Sequence, residues 1–247
     1  LGYKNKKIMS QSSLQLKNIL FLDIETVSLT ENFSELPERL KDHWIRKASK
    51  LKNDGEREPE DLYFERAAIY AEFGKVICIG VGGFYEQDTK FRAKILVNTD
   101  EKQLLLEFKN LVEEHAAKGG LLLCAHNGRE FDFPYLCRRM LINGIKLPAV
   151  LDITGKKPWE VMHIDTLEFW KFGDYKNYTS LDLLASVFDI PGSKSIMDGS
   201  EVNTNYYHQN NLPKIAEYCR EDVVVLAQLY LKMNGRDILE EGSIHRV

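Results

Sequence analysis

The chain has 247 residues, is 44% hydrophobic and carries a formal net charge of −4. That length and apolar content suit one large soluble domain, or a domain with one insertion, around a real core. The negative balance excludes a polycation that coats nucleic acid, so phosphate contacts must come from local basic patches, helix N-termini or metal. Cys78, Cys124, Cys137 and Cys219 are far apart and form no C-x-x-C. They read as buried free thiols of a reducing cytoplasm, with neither a disulfide framework nor a zinc site. No apolar run reaches membrane-spanning length.

Residues 1–7 are basic, but no apolar segment follows, so they do not read as a signal peptide; residues 1–15 are expected to be a disordered leader. Residues 16–25 predict the first strand, ending in Asp23-Ile24-Glu25. Side chains two apart on a strand share a face, so Asp23 and Glu25 stand together while Leu22 and Ile24 face the other way. Two carboxylates at 4 Å repel by about 4 kcal/mol at an effective dielectric of about 20. A positive group must relieve them, or one must keep its proton. A hard divalent cation such as Mg²⁺ meets the first condition, because it prefers oxygen ligands.

Residues 34–71 change character and predict a charged helical insertion, with Leu40, Trp44 and Leu51 as its apolar stripe. Residues 37–52 hold six Lys/Arg against two acids, and Arg39, Arg46 and Lys50 share a side. This is either a solvated face or a flap toward a polyanion. Residues 75–83 predict a central strand, apolar on both faces, and 91–97 a strand pairing back across a turn at Glu86-Gln87-Asp88. Residues 101–117 predict a helix stopped by Gly119-Gly120, and 121–125 a short buried strand parallel to the first. A helix over 133–143, with Asp132 as its N-cap, a strand over 161–166, a helix over 179–188 and a long helix over 211–233 complete the chain. The pattern is α/β, a mixed sheet of five to six strands covered by helices. Ligands in such sheets gather beyond the carboxyl ends of the parallel strands, where Asp23, Glu25 and His126-Asn127-Gly128 fall.

The last helix carries an anomaly. Ile215, Cys219, Asp222, Leu226, Leu229 and Met233 recur at spacings of 4, 3, 4, 3 and 4, so Asp222 lies within the buried stripe. A carboxylate there costs several kcal/mol unless paired or metal-bound. Tyr218, one turn earlier, points to nearly the same place. Asp165-Thr166 reads as the N-cap of the next helix. Lys171, Lys176 and Lys194 are loop cations that could reach phosphates. Gly80-Val81-Gly82-Gly83 and Gly192-Ser193-Lys194-Ser195 match neither the dinucleotide fingerprint nor a P-loop, so no nucleotide cofactor is expected.

Taken together, the motifs F-L-D-I-E-T, H-N-G-R-E-F-D-F-P-Y-L and Y-C-R-E-D-V resemble the DEDD superfamily of metal-dependent 3′–5′ exonucleases on a ribonuclease H-like fold. The tyrosine four residues before the last aspartate is the mark of the DEDDy branch; Glu217 occupies the place of the DEDDh histidine. The resemblance spans about residues 18–233 and is greatest to the proofreading domain of family B DNA polymerases and to stand-alone bacterial exonucleases like it. It leaves no stretch for a polymerase domain and implies a single exonuclease domain over 16–247.

The resemblance further implies that Asp23 bridges two Mg²⁺ or Mn²⁺ ions and that Glu25 and Asp222 complete the ion that activates water. Asp132 would hold the second ion. It implies in-line displacement at phosphorus with ions about 3.5–4 Å apart, and a water oriented by Tyr218, whose phenol is a poor base at neutral pH. The 3′ nucleotide would lie over the backbone of Ile24–Thr26, with Asn127 at its sugar or phosphate and Phe131 as a stacking or core residue. DNA is the expected substrate. An RNA exonuclease on the same site and a catalytically idle nucleic-acid-binding module are the alternatives.

Overall fold

The computed structural model describes residues 15–51, 57–157, 160–174, 176, 178–193 and 196–247. Apart from Gln15, the expected leader lies outside them, as does Lys194. The first strand, β1 (Ile19–Ser28), is followed by α1 (Glu38–Ala48) and α2 (Pro59–Arg66), then by β2 (Gly74–Tyr85), β3 (Lys90–Val97) and α3 (Glu101–Ala117). Next come β4 (Leu122–Ala125), α4 (Asp132–Ile142), β5 (Ile164–Asp165), α5 (Thr166–Lys171) and α6 (Leu181–Val187). The chain continues through α7 (Val202–Tyr207) and α8 (Leu212–Met233) to β6 (Ile244–Arg246).

The strands form one six-stranded sheet in the order β5-β4-β1-β2-β3-β6. β2 runs antiparallel to β1 and β3, while β4 is parallel to β1, β5 to β4 and β6 to β3. The mixed sheet expected from the sequence is therefore present, with helices on both faces. Leu20, Leu22 and Ile24 of β1 pack with Leu104 and Phe108 of α3 and Phe133 and Leu136 of α4. Phe21 packs on the opposite face with Val223, Leu226 and Tyr230 of α8. The glycines of β2 let α8 come close: a Cβ on Gly80 would meet the Cys219 carbonyl and the Val223 side chain, each at 2.8 Å.

Several boundaries differ from the sequence reading. β1 does not end at Glu25; it continues to Ser28, because β2 pairs with Thr26–Ser28 across a register shift between Glu25 and Thr26. The strand expected over 161–166 shrinks to two residues, and α7 and β6 were not foreseen. Asp132 is not an N-cap. That position is Phe131, and Asp132 is the first residue of α4. Within the charged segment after β1, Trp44, Leu62 and Tyr63 build a separate small core with Leu36 and Phe73, and Trp44 Nε1 donates to the Pro59 carbonyl at 2.7 Å.

Candidate active site

Because β1 alternates, Asp23 and Glu25 follow Phe21 on the face toward α8. Carboxylate oxygens of Asp23 and Glu25 and Sγ of Cys219 all lie within 4.8 Å of one another. Cys219 also donates through Sγ to the Asp23 carbonyl at 3.5 Å. Asp23 stands opposite Gly80 in the sheet register, so the close approach of α8 over that glycine is what brings Cys219, and one turn later Asp222, to the strand. Burial holds the Asp23 and Glu25 carboxyls well above the usual range. Asp222 and Asp132 push Asp23 further up, and Asp23 does the same to Glu25.

Asp222 is buried in the stripe of α8, and its pKa is pushed up to about 6 by burial, against the Ser193 and Tyr218 hydroxyls, which favour its charged form. The Ser193 hydroxyl, itself 5% exposed, donates to Asp222 Oδ1. Asp132 is 3% exposed. Its pKa is pushed up to about 7, chiefly by burial, while the backbone amides of Asp132 and Ile24 act in the opposite direction. Asp132 thus reaches β1 from the first turn of α4. The Tyr218 phenol is raised above its ordinary value by burial and by the neighbouring Asp222, Glu25 and Asp23, so it stays protonated at neutral pH.

None of the four acids makes an ion pair with a lysine or arginine among the described residues. The groups that bear electrostatically on them are other acids and thiols. Asp23 Oδ2 is buried without any hydrogen-bond partner. Two adjoining carboxyls, two further acids in electrostatic reach, an orphaned oxygen and no cation among the described residues fit a hard divalent metal, whose ligands are carboxylates and water. A cavity of about 600 Å³ beside Lys17, Gly83, Arg92 and Lys94 contains none of these acids.

The remaining sequence candidates divide. His126 is pinned, Nδ1 to the Thr166 hydroxyl at 2.9 Å and Nε2 to the Thr179 carbonyl at 2.8 Å, and burial lowers its pKa. Asp165 caps α5 through the amides of Leu167 and Glu168 and also accepts from the Asn127 and Arg129 amides at 3.0 Å. It holds the turn that aims Asn127, whose backbone sits at φ +61°. Asn127 is half-buried and its side chain takes no hydrogen bond among the described residues. Ile24 and Thr26 are buried and the Thr26 hydroxyl is used by the Ala68 carbonyl, so only their backbone can meet a ligand. Phe131 is half-buried against the core, with Tyr135 at 5.3 Å. Lys171 is paired with Glu168 at 2.7 Å.

Sequence reasoning missed Ser193 and the place of Cys219 beside the acids. Ser193 lies in a loop, where no periodicity marks a side chain's direction. Cys219 is in the stripe already noted, and only the glycine under it signals how near it comes.

A sequence family described as a predicted 3′–5′ exonuclease related to the exonuclease domain of PolB matches residues 69–243. The matched residues include Asp132, Tyr218 and Asp222 and begin after Asp23 and Glu25. Among solved structures, the chain is similar to the family B DNA polymerase from the hyperthermophilic archaeon Pyrobaculum calidifontis, at 16% identity and a TM-score of 0.55. That similarity covers 87% of this chain and 24% of the polymerase, so the chain spans about a quarter of that protein's length. It bears out the ribonuclease H-like fold.

Proposed function

The chain belongs to the family of predicted 3′–5′ exonucleases related to the exonuclease domain of PolB, and from that premise we propose that it trims single-stranded DNA from the 3′ end with the help of two Mg²⁺ or Mn²⁺ ions. The observation that carries this reading is the pairing of Asp23 and Glu25 within 4.8 Å, with Asp222 and Asp132 in electrostatic reach of both, no cationic partner among the described residues and a buried Asp23 oxygen left without a hydrogen bond. These four would hold the ions. When bound, the ions offset the charge gathered at the scissile phosphate and lower the pKa of water.

The chain's own groups do the rest. Tyr218, protonated and next to Asp222, orients the attacking water and does not act as its base. Ser193 fixes one oxygen of Asp222 and so sets the direction of the other. Asn127 and the Ile24–Thr26 backbone, which lies beyond the β1–β4 pairing that ends at Phe21, receive the terminal nucleotide. The oxygen of water bonds to phosphorus and releases one proton to solvent, the bond from phosphorus to the O3′ of the preceding nucleotide breaks, and that oxygen takes up a proton in turn. The products are a 5′-mononucleotide and a strand shorter by one, ending in a 3′-hydroxyl.

The test is a comparison of 5′-labelled single-stranded DNA and RNA oligonucleotides with Mg²⁺ and with Mn²⁺. Stepwise shortening of DNA, abolished by Asp23→Ala, is expected. Preference for RNA would move the substrate and keep the site, since the choice rests on how the pocket treats the 2′-hydroxyl. No shortening of either strand would leave an idle binding module.

A further inference from the structure

We propose that the cavity between β2, β3 and α3 is a second binding site, separate from the carboxylates, for a nucleoside 5′-monophosphate. The site goes beyond the exonuclease reading. It rests on the cavity's own residues, and that reading adds only that such a molecule is the expected product.

The cavity measures about 600 Å³, inside the range of about 300–1,000 Å³ usual for small-molecule sites. Gly83 opens it. Val81, Gly83 and Tyr85 follow one another on a single face of β2, and a Cβ on Gly83 would meet nothing nearer than the Ile19 carbonyl at 3.7 Å. The sheet is therefore bare at that point. Leu20, Val81, Leu96 and Leu111 line the floor and belong to the core on the α3 side. Asp23 and Glu25 gather with Cys219 of α8, so the two sites lie on opposite faces of the sheet.

Two unlike walls rise from this floor. On β3, Arg92 lies beside Gly83 and Lys94 beside Val81 in the sheet register, and Lys17 joins them from just before β1. All three are exposed and make no ion pair among the described residues. Arg92 stacks on the Tyr85 ring, 4.8 Å from its centre, which holds the guanidinium at the bare strand, where a flat ring laid over Gly83 would stack against it. The facing wall is α3, with Glu107, Asn110, Glu114 and His115. His115 Nδ1 is held by the Leu111 carbonyl at 2.8 Å, and Glu107 by the Asn98 amide at 3.3 Å.

A ligand that uses both walls needs an anionic end for Lys17 and Lys94, a flat body for the glycine floor, and hydrogen-bond donors for the two glutamates. A nucleoside monophosphate has all three in its phosphate, its base and its sugar hydroxyls. Phosphate alone would leave the apolar floor and the glutamates unused. An uncharged nucleoside would leave the lysines unused. A longer strand would bring further phosphates against Glu107 and Glu114.

The experiment is isothermal titration calorimetry of the wild-type protein in chelator, where no metal can bridge a phosphate to the acids. The probes are AMP, adenosine and inorganic phosphate. AMP is expected to bind at one site, about tenfold or more tighter than either fragment. Lys94→Glu should weaken AMP about tenfold or more, and Gly83→Val should fill the floor and remove binding. Asp23→Asn should leave the AMP affinity unchanged. Thermal melts check that each variant is folded, and Lys94→Glu, an exposed change, decides the matter if Gly83→Val is not. No heat with AMP, or an AMP affinity that Lys94→Glu leaves intact, would overturn the proposal. So would an affinity lost in Asp23→Asn, which would return the ligand to the carboxylates, or inorganic phosphate bound as tightly as AMP, which would reduce the cavity to a plain anion site. Protein that shortens no oligonucleotide would sink the exonuclease reading and leave this binding expected as before.

Discussion

Asp23, Glu25 and Asp222 were legible in the sequence because each breaks a period: two acids on one face of an apolar strand, and one acid inside an apolar helical stripe. Asp132 was legible only through its motif, since an aspartate before a helix is most often a cap; the structure makes it the first helical residue, buried and facing β1. Ser193 gave no signal, because a loop residue reaches its partner through tertiary packing alone. The raised carboxyls make a prediction with a definite sign. Asp132 titrates at about 7 and Asp222 at about 6 when folded, against about 3.9 when unfolded. Between these values the folded protein holds protons the unfolded chain has lost, so the metal-free protein should lose stability as pH rises from about 4 to about 7. For Asp132 the effect is on the order of 4 kcal/mol at 1.36 kcal/mol per pKa unit. Thermal melts in chelator across this range check it, and Mn²⁺ should raise the melting temperature more at pH 8 than at pH 5. Ser193→Ala should raise the Mn²⁺ concentration needed for half-maximal stabilisation several-fold, with Ser193→Thr restoring it. Tyr218→Phe should slow turnover by one to two orders of magnitude and leave that metal titration unchanged.

Elements were read more securely than their ends. α3 and α8 follow long apolar periods and fall where expected, while β6 and α7 are too short to show one. The extension of β1 past Glu25 was invisible because it depends on a partner, β2, that supplies pairing beyond the register shift. The contact of α8 with β2 gives the prediction at this scale. Gly80→Ala would place a methyl 2.8 Å from both the Cys219 carbonyl and the Val223 side chain, so α8 must lift. Asp222 moves with it. Turnover should fall at least tenfold, since misplacement of a catalytic group by 1 Å can cost about a hundredfold, while circular dichroism of the sheet and helices stays near that of wild type. Steady-state rates measured beside the spectra would decide; unchanged turnover would mean that α8 does not set the geometry.

At the scale of the molecule, the sequence pattern yielded the class of architecture, and the likeness to a polymerase of which this chain covers 24% bears it out. The charged segment after β1, like β1 itself, precedes nearly all of the family match, which begins at residue 69. Its Arg39, Arg46 and Lys50 are exposed and make no ion pair among the described residues. The segment is tied to the site's rim through Asn203, which accepts from the Ser28 amide at 2.9 Å and donates to the Phe64 carbonyl at 2.6 Å. If this face meets the strand, Arg46→Glu with Lys50→Glu should weaken oligonucleotide binding and flatten its dependence on salt; an unchanged salt slope would assign the charges to solvation alone.

The acids come from the first strand, the fourth helix and the eighth, and the sheet's outer margin is closed by residues later still. During synthesis on the ribosome, Asp23 and Glu25 emerge almost two hundred residues before Asp222. A nascent chain therefore exposes half of the carboxyl set with nothing to complete it. On the exonuclease reading, cutting would wait until the final long helix has docked, and a partly made copy would spare the nucleic acid near the ribosome.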